Sequence, residues 1–270
     1  MDNLEKIEGG IPGFDQIITG FIDGHIRYHT IQFFKKTGTY TFEPEGTGVL
    51  VNIFGLFCVF TASHVLESMS DDAPLYFRYG DNKYITCSGI MRESDFRTNK
   101  TSPDLAYLIL LEEIVREILG VGMIFLDGSK LLSDHQAMQA SQYAIYGFPT
   151  DFVKIENSIM ITGGNLFIGT MANDKPYKHY NYSKDTHYIM PYTNPRDIAT
   201  KEKTETRPIY GMSGSGLWLI SVTKILDEYA YDYHLIGIMN EFKTHGKYQI
   251  IVGNKINLIA DKLLIDISES

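Results

Sequence analysis

The sequence predicts an all-β fold in two strand-rich halves, followed by a C-terminal helix. Three observations predict it. Short apolar or alternating runs recur along the chain between Gly, Asn and Asp turns, each of strand length rather than helix length. The aromatic share is 13%, almost all of it Tyr and Phe, which suits a pleated, half-buried surface. Helical periodicity is confined to Leu111 to Leu119 and to a C-terminal run with Ile256, Ile259, Ala260 and Leu263 on one face, with Asn254 as its expected cap.

In the first half the strand-like runs are Tyr28 to Phe34, Gly48 to Ile53, Leu56 to Thr61, Tyr84 to Cys87 and Leu105 to Leu110. The second half repeats the habit at Tyr143 to Tyr146, Ile159 to Thr162, Gly216 to Ile220, His234 to Met239 and Tyr248 to Val252. Even spacing of this kind points to a sandwich or a barrel. The segment Glu112 to His135 combines a helix-like piece with an Asp127-Gly128 turn and separates the halves. The division expected is an N-terminal segment over residues 1–24, a first β-domain over 25–125, a second over 126–255, and a helix and tail over 256–270. The polar stretch from Asn173 to Arg207 is expected as one long loop, either a solvated insertion or part of a binding site.

Charge and composition narrow the function classes. A formal net charge of −9 offers no broad positive field for a phosphate backbone or an anionic bilayer, so neither nucleic acid nor membrane is an expected partner. No run is long and apolar enough for a span, and a cytoplasmic location is expected. The two cysteines, Cys58 and Cys87, lie in apolar or strand-like runs and read as buried thiols rather than a disulfide framework or a nucleophile. A phosphate-cradling Gly-x-x-x-x-Gly-Lys-Ser/Thr loop and a His-Glu-x-x-His zinc motif are both missing, so no cofactor and no metal are expected. His179 and His187 share a Tyr-rich stretch without a Cys or carboxylate at ligand spacing.

One serine sits in a setting that acyl transfer needs. Gly211-Met212-Ser213-Gly214-Ser215-Gly216 precedes the apolar strand from Leu217 to Ile220, and such a turn exposes a hydroxyl while aiming N–H groups at one point. The motif alone fits an ordinary hairpin turn equally well. A hydroxyl needs a base, and His64 follows the apolar run Leu56 to Phe60 directly, which fixes it at a strand end; a core histidine would read the same way. The base needs an orienting carboxylate, and Asp104 stands immediately before Leu105 to Leu111, where a simple turn residue also fits.

Taken together these segments resemble the trypsin-like serine proteases from about Tyr28 to Leu264. Gly46-Thr47-Gly48-Val49-Leu50 looks like that family's Gly-Ser/Thr-Gly motif, and Thr61-Ala62-Ser63-His64 like its Thr-Ala-Ala-His. Asp104-Leu105-Ala106 and Gly211 to Gly216 match its Asp and Ser motifs in the same order, and Tyr146-Gly147-Phe148-Pro149 looks like its Gly-Tyr/Phe-Pro turn. The resemblance implies two six-stranded antiparallel β-barrels, a His64, Asp104 and Ser213 triad, and an oxyanion hole from the backbone N–H groups of Gly211 and Ser213. It implies a peptide or protein substrate pairing along Asn240, Glu241 and Phe242, with Arg207 at the pocket floor favouring an acidic side chain. Met212 stands where digestive members carry the Asp that binds a new amino terminus, so activation by that ion pair is not expected. The pattern is nearer the bacterial V8-like and HtrA-like members. It implies a serine endopeptidase, either active as it stands or latent until a partner protein or conformational change releases it, or else a catalytically silent module that binds or senses other proteins.

Overall fold

The computed structural model describes residues 14–39, 41–67, 69–70, 73–80, 83–94, 102–133, 141–156, 159–192, 202, 209–225, 228–243 and 246–268. Two curled antiparallel sheets dominate. The first is built from β1 (Thr30–Lys36), β2 (Phe42–Ile53), β3 (Leu56–Thr61), β4 (Leu75–Gly80), β5 (Lys83–Cys87), β6 (Gly89–Glu93) and β7 (Ala106–Leu110), in the spatial order β5-β4-β1-β2-β3-β7-β6. It holds seven strands in line where six were expected, and β8 (Leu126–Asp127) adds a short parallel pairing to β2. The β2–β3 hairpin closes through Phe54 and Gly55, both at positive φ, with the Asn52 side chain accepting the Gly55 N–H at 2.9 Å.

A small hairpin of β10 (Lys154–Glu156) and β11 (Ile159–Ile161) stands apart from the second sheet. That sheet comprises β9 (Ser141–Gly147), β12 (Asn165–Gly169), β13 (His187–Pro191), β14 (Gly216–Ile225), β15 (Glu228–Lys243) and β16 (Ile250–Lys255), in the order β12-β9-β14-β15-β16-β13. Pro191 ends β13 at the sheet's edge, where a missing N–H costs no ladder bond.

Each sheet packs its own apolar interior, and a third cluster joins them. Val49, Phe60 and Tyr107 of the first sheet meet Ala144, Trp218, Leu235 and Ile238 of the second. Two helices add to this shared cluster. One is α1 (Phe14–Gly24), which contributes Ile18 and Ile22 and was not expected, although Phe14, Ile17, Ile18, Phe21 and Ile22 fall at i, i+3, i+4, i+7 and i+8; the signal is present and was overlooked in a segment expected only as an N-terminal extension. The other is α5 (Asn257–Ser268), close to the expected C-terminal helix, where Ile259 and Leu263 are buried beside Ile256. Asn254 does not cap it. That residue lies in β16, fully buried, with its side-chain amide turned to the Asp104 carbonyl at 3.2 Å.

Two shorter helices are α2 (Ser63–Leu66) and α3 (Glu112–Gly120), the latter matching the first periodic stretch. The polar stretch from Asn173 is not one loop. It forms α4 (Asp174–Tyr180), capped by the Asn173 side chain on the Lys175 N–H at 3.1 Å, and then β13. Tyr177 and Ile189 bury themselves against Ile250 and Val252 of β16, an apolar contact hidden in the sequence among charged neighbours. Residues 193–201 and 203–208, Arg207 among them, lie outside the described residues.

Candidate active site

His64 is placed by what surrounds it. β3 runs to Thr61, Ala62 stays extended, and the single turn of α2 follows, with Val65 and Leu66 sunk into the first sheet's core. The Ser63 hydroxyl donates to the Leu105 carbonyl at 2.9 Å, tying the turn to the head of β7. Asp104 sits at that head, only 3% exposed. Its two carboxylate oxygens both face His64: Oδ1 accepts the backbone N–H at 3.1 Å, and Oδ2 lies 2.6 Å from Nδ1. A carboxylate only accepts, so Nδ1 carries the proton and Nε2 is left with its lone pair. Burial by itself would push the His64 pKa down; the Asp104 hydrogen bond and charge, with Glu67 and Glu45 beyond, carry it above the ordinary imidazole value.

Ser213 arrives from the other sheet, in the turn that opens β14. The Ser213 carbonyl accepts the Thr47 N–H at 2.8 Å, while Gly214 N–H donates to Met239 O at 2.7 Å. A side chain on Gly46 would strike both Val65, next to His64, and the Ser213 carbonyl, so the serine turn lies against the base of the histidine turn. Gly214 has φ +86°, and a Cβ there would fall 1.8 Å from the Thr47 carbonyl oxygen. Only glycine fits. The Ser213 hydroxyl makes no hydrogen bond among the described residues, His64 included.

The carbonyls from Ile209 to Ser213 are all occupied. Ile209 O accepts from Met212 N at 3.2 Å, Tyr210 O from Thr150 N at 2.7 Å, and Met212 O from Ser215 N at 2.9 Å. Gly211 O accepts from the Thr47 hydroxyl at 2.9 Å. In a trans peptide the N–H points opposite the preceding carbonyl. Fixing Tyr210 O and Met212 O therefore fixes the directions of the Gly211 and Ser213 N–H groups, and neither has a partner among the described residues. Two free donors in one turn form a site for an oxyanion. Beneath them Met212 is fully buried and the Ser215 hydroxyl faces its sulfur at 3.9 Å, so apolar packing rather than an ion pair supports the turn.

Beside the turn, β15 changes partners. β14 pairs with it only from Gly216 opposite Ile238, while β16 continues past a bulge at Asn240 to Lys243. Residues Asn240 to Phe242 thus form an edge next to Ser213. Their side chains are engaged elsewhere or buried: Asn240 Oδ1 is buried without a hydrogen-bond partner among the described residues. Glu241 accepts from the Tyr182 hydroxyl and pairs with Lys243 at 2.6 Å, and the Phe242 ring meets Tyr192 edge-on at 4.8 Å.

No protein-family profile matches the chain, and no curated protein sequence matches it. Solved structures do. The scabies mite inactivated protease paralogue S-I1 is 13% identical, covers 91% of this chain and 97% of its own, and superposes with a TM-score of 0.56. The fold is the chymotrypsin-like double barrel. A second scabies mite inactivated protease paralogue, S-D1, covers 89% of this chain and 93% of its own at 12% identity and a TM-score of 0.51. The thermostable serine protease AL20, from an extremophilic microorganism, is 14% identical over 84% of this chain and 90% of its own, with a TM-score of 0.48.

Within this double barrel three contributors were missed by sequence reasoning: Thr47, Thr150 and Asn254. Thr47 lay inside a quoted glycine motif but gave no hint of its hydroxyl's partners, and the other two carry no local signal at all. Other polar groups are accounted for without chemistry. Cys58 and Cys87 are buried free thiols pushed up to about 12 by desolvation. His179 and His187 lie against tyrosine rings, and among the described residues no three His, Cys, Asp or Glu side chains gather as metal ligands. Nor is any described helix long and apolar enough to cross a membrane.

Proposed function

We propose that the chain is a serine endopeptidase that cleaves peptide bonds through an acyl-enzyme on Ser213. The observation that supports it most is the serine turn, where the carbonyls from Ile209 to Ser213 are all bound while the N–H groups of Gly211 and Ser213 have no partner among the described residues. Ser213 would attack the scissile carbonyl as His64 Nε2 takes its proton, forming the O–C bond and placing negative charge on the carbonyl oxygen between those two donors. Asp104 would stabilise the imidazolium, which then returns the proton to the leaving amine. Water would repeat the sequence to release the acid. The substrate backbone would pair with the β15 edge from Asn240 to Phe242, with Arg207 a proposed contact for an acidic side chain.

A second reading keeps the fold and drops the chemistry, as a silent module that binds or senses other proteins. It draws support from the inactivated protease paralogues among the structural neighbours. The arrangement of His64, Asp104 and the free donors favours the enzyme. A fluorophosphonate probe separates the two: the wild type is expected to be labelled, and Ser213→Ala and His64→Ala are expected to abolish labelling. A folded wild type that stays unlabelled would favour the silent module.

A further inference from the structure

Thr47 has a hydrogen bond at every polar atom, and its N–H and hydroxyl both reach across the junction between the barrels. It is fully buried in β2. Its N–H donates to the Ser213 carbonyl at 2.8 Å, and its own carbonyl accepts the Thr61 hydroxyl at 2.7 Å. Its hydroxyl does two things at once, donating to the Gly211 carbonyl at 2.9 Å and accepting the Phe148 N–H at 3.2 Å. One residue of the first sheet therefore grips the serine turn at both ends of the Gly211 to Ser213 segment.

We infer that the Thr47 hydroxyl is a positioning group: it anchors the Gly211–Met212 peptide, the link between the Tyr210–Gly211 and Met212–Ser213 peptides that carry the two oxyanion donors, and so keeps those donors in register. The reason lies in Gly211, at φ +85°. A glycine peptide rotates with little steric resistance, so its orientation must be imposed from outside. Two bonds impose it here, Thr150 N–H on the Tyr210 carbonyl before Gly211 and the Thr47 hydroxyl on the carbonyl after it. Without the hydroxyl, Gly211 O and Phe148 N–H lose a common partner in a site too buried for bulk water to replace it. Among the described residues the Gly211–Met212 peptide is then held only by the Met212 N–H on the Ile209 carbonyl at 3.2 Å, and the donor peptides on either side of it lose their common anchor to the first sheet.

The inference rests on the proposed role of Ser213 as nucleophile, and two measurements keep them separable. Thr47→Val removes the hydroxyl at nearly constant shape, and Thr47→Ser restores it. In 15N-labelled protein, Thr47→Val is expected to move or broaden the Gly211 and Ser213 amide signals and to speed Phe148 amide exchange by at least about tenfold, with Thr47→Ser like wild type. With an ester substrate, Thr47→Val is expected to lower kcat by at least about tenfold while KM stays within about twofold, again rescued by Thr47→Ser. If Thr47→Val does not fold, Thr47→Cys replaces it with a weak donor and the same expected direction. Amide signals unchanged without the hydroxyl, or equal damage from Val and Ser, would overturn the inference whatever the activity. Wild-type protein without turnover, but with the amide changes as expected, would instead overturn the catalytic reading and leave the clamp in place.

Discussion

The His64–Asp104 pair makes the pH behaviour of this chain predictable at the level of one residue. His64 is raised above its ordinary value of about 6.5, because the Asp104 hydrogen bond and charge outweigh the cost of burial. A general base works only when neutral, so kcat/KM is expected to climb with pH through a midpoint above about 6.5. An acid limb at or below that value would contradict the geometry. The stability consequence has the opposite sense: a folded-state pKa above the unfolded one gives stabilisation that is complete below about 6.5 and fades as pH rises through the raised value. Asp104→Asn removes the charge and the tautomer control together. It is expected to cut kcat on the order of 10⁴-fold and to bring the acid limb down, which a pH–rate profile reads directly.

Among the elements, the turn before β14 and the helix α1 respond in opposite ways to one kind of change. At Gly214 an added methyl collides with the Thr47 carbonyl and with the Thr61 hydroxyl, 2.2 Å away, and the positive φ adds strain. Gly214→Ala is expected to lower the melting temperature and abolish probe labelling of the protein that remains folded. Gly20 is exposed on α1 with open space around it, where glycine only weakens the helix. Gly20→Ala is expected to stabilise the protein by about 0.5–1 kcal/mol in urea titration, with labelling unchanged. A Gly214→Ala protein that labels normally would show that the serine turn tolerates movement, against the tight packing described. The strands around these elements were largely legible as runs such as Leu56 to Thr61. β6, β12 and β13 were not, because each is short and partly exposed and its pairing comes from a strand well removed in sequence, whereas β4 was overlooked despite its alternating Leu75 and Phe77 and its hairpin with β5.

For the whole molecule, the shared cluster makes the two sheets one mechanical body. Trp218, the sole tryptophan, is fully buried in it among side chains from both sheets and from α1 and α5. Urea unfolding followed by Trp218 fluorescence and by far-ultraviolet circular dichroism is therefore expected to give superimposable single transitions. Two separated transitions would mean that each barrel stands without the other. The candidate site lies across the same junction, with His64 and Asp104 on the first sheet and Ser213 on the second. Loosening of the junction is expected to cost function before it costs secondary structure.

By itself the sequence determined the β-rich class, the buried thiols, and the residue types proposed for acyl transfer, since these follow from local pattern: apolar runs of strand length, cysteines in apolar surroundings, and glycines flanking a serine. It also placed His64 at the end of β3 and Asp104 at the head of β7, because apolar runs mark strands and strand ends position side chains. Only the tertiary structure decided what holds that chemistry together. Asn254 looked like a helix cap and instead supports the Asp104 backbone; Thr150 and Thr47, far from Ser213 in sequence, fix the peptides around Gly211. Hydrogen bonds between residues 60 or more positions apart have no periodicity and no spacing rule. They come into being only when two sheets close on each other and bury the groups that must then be paired.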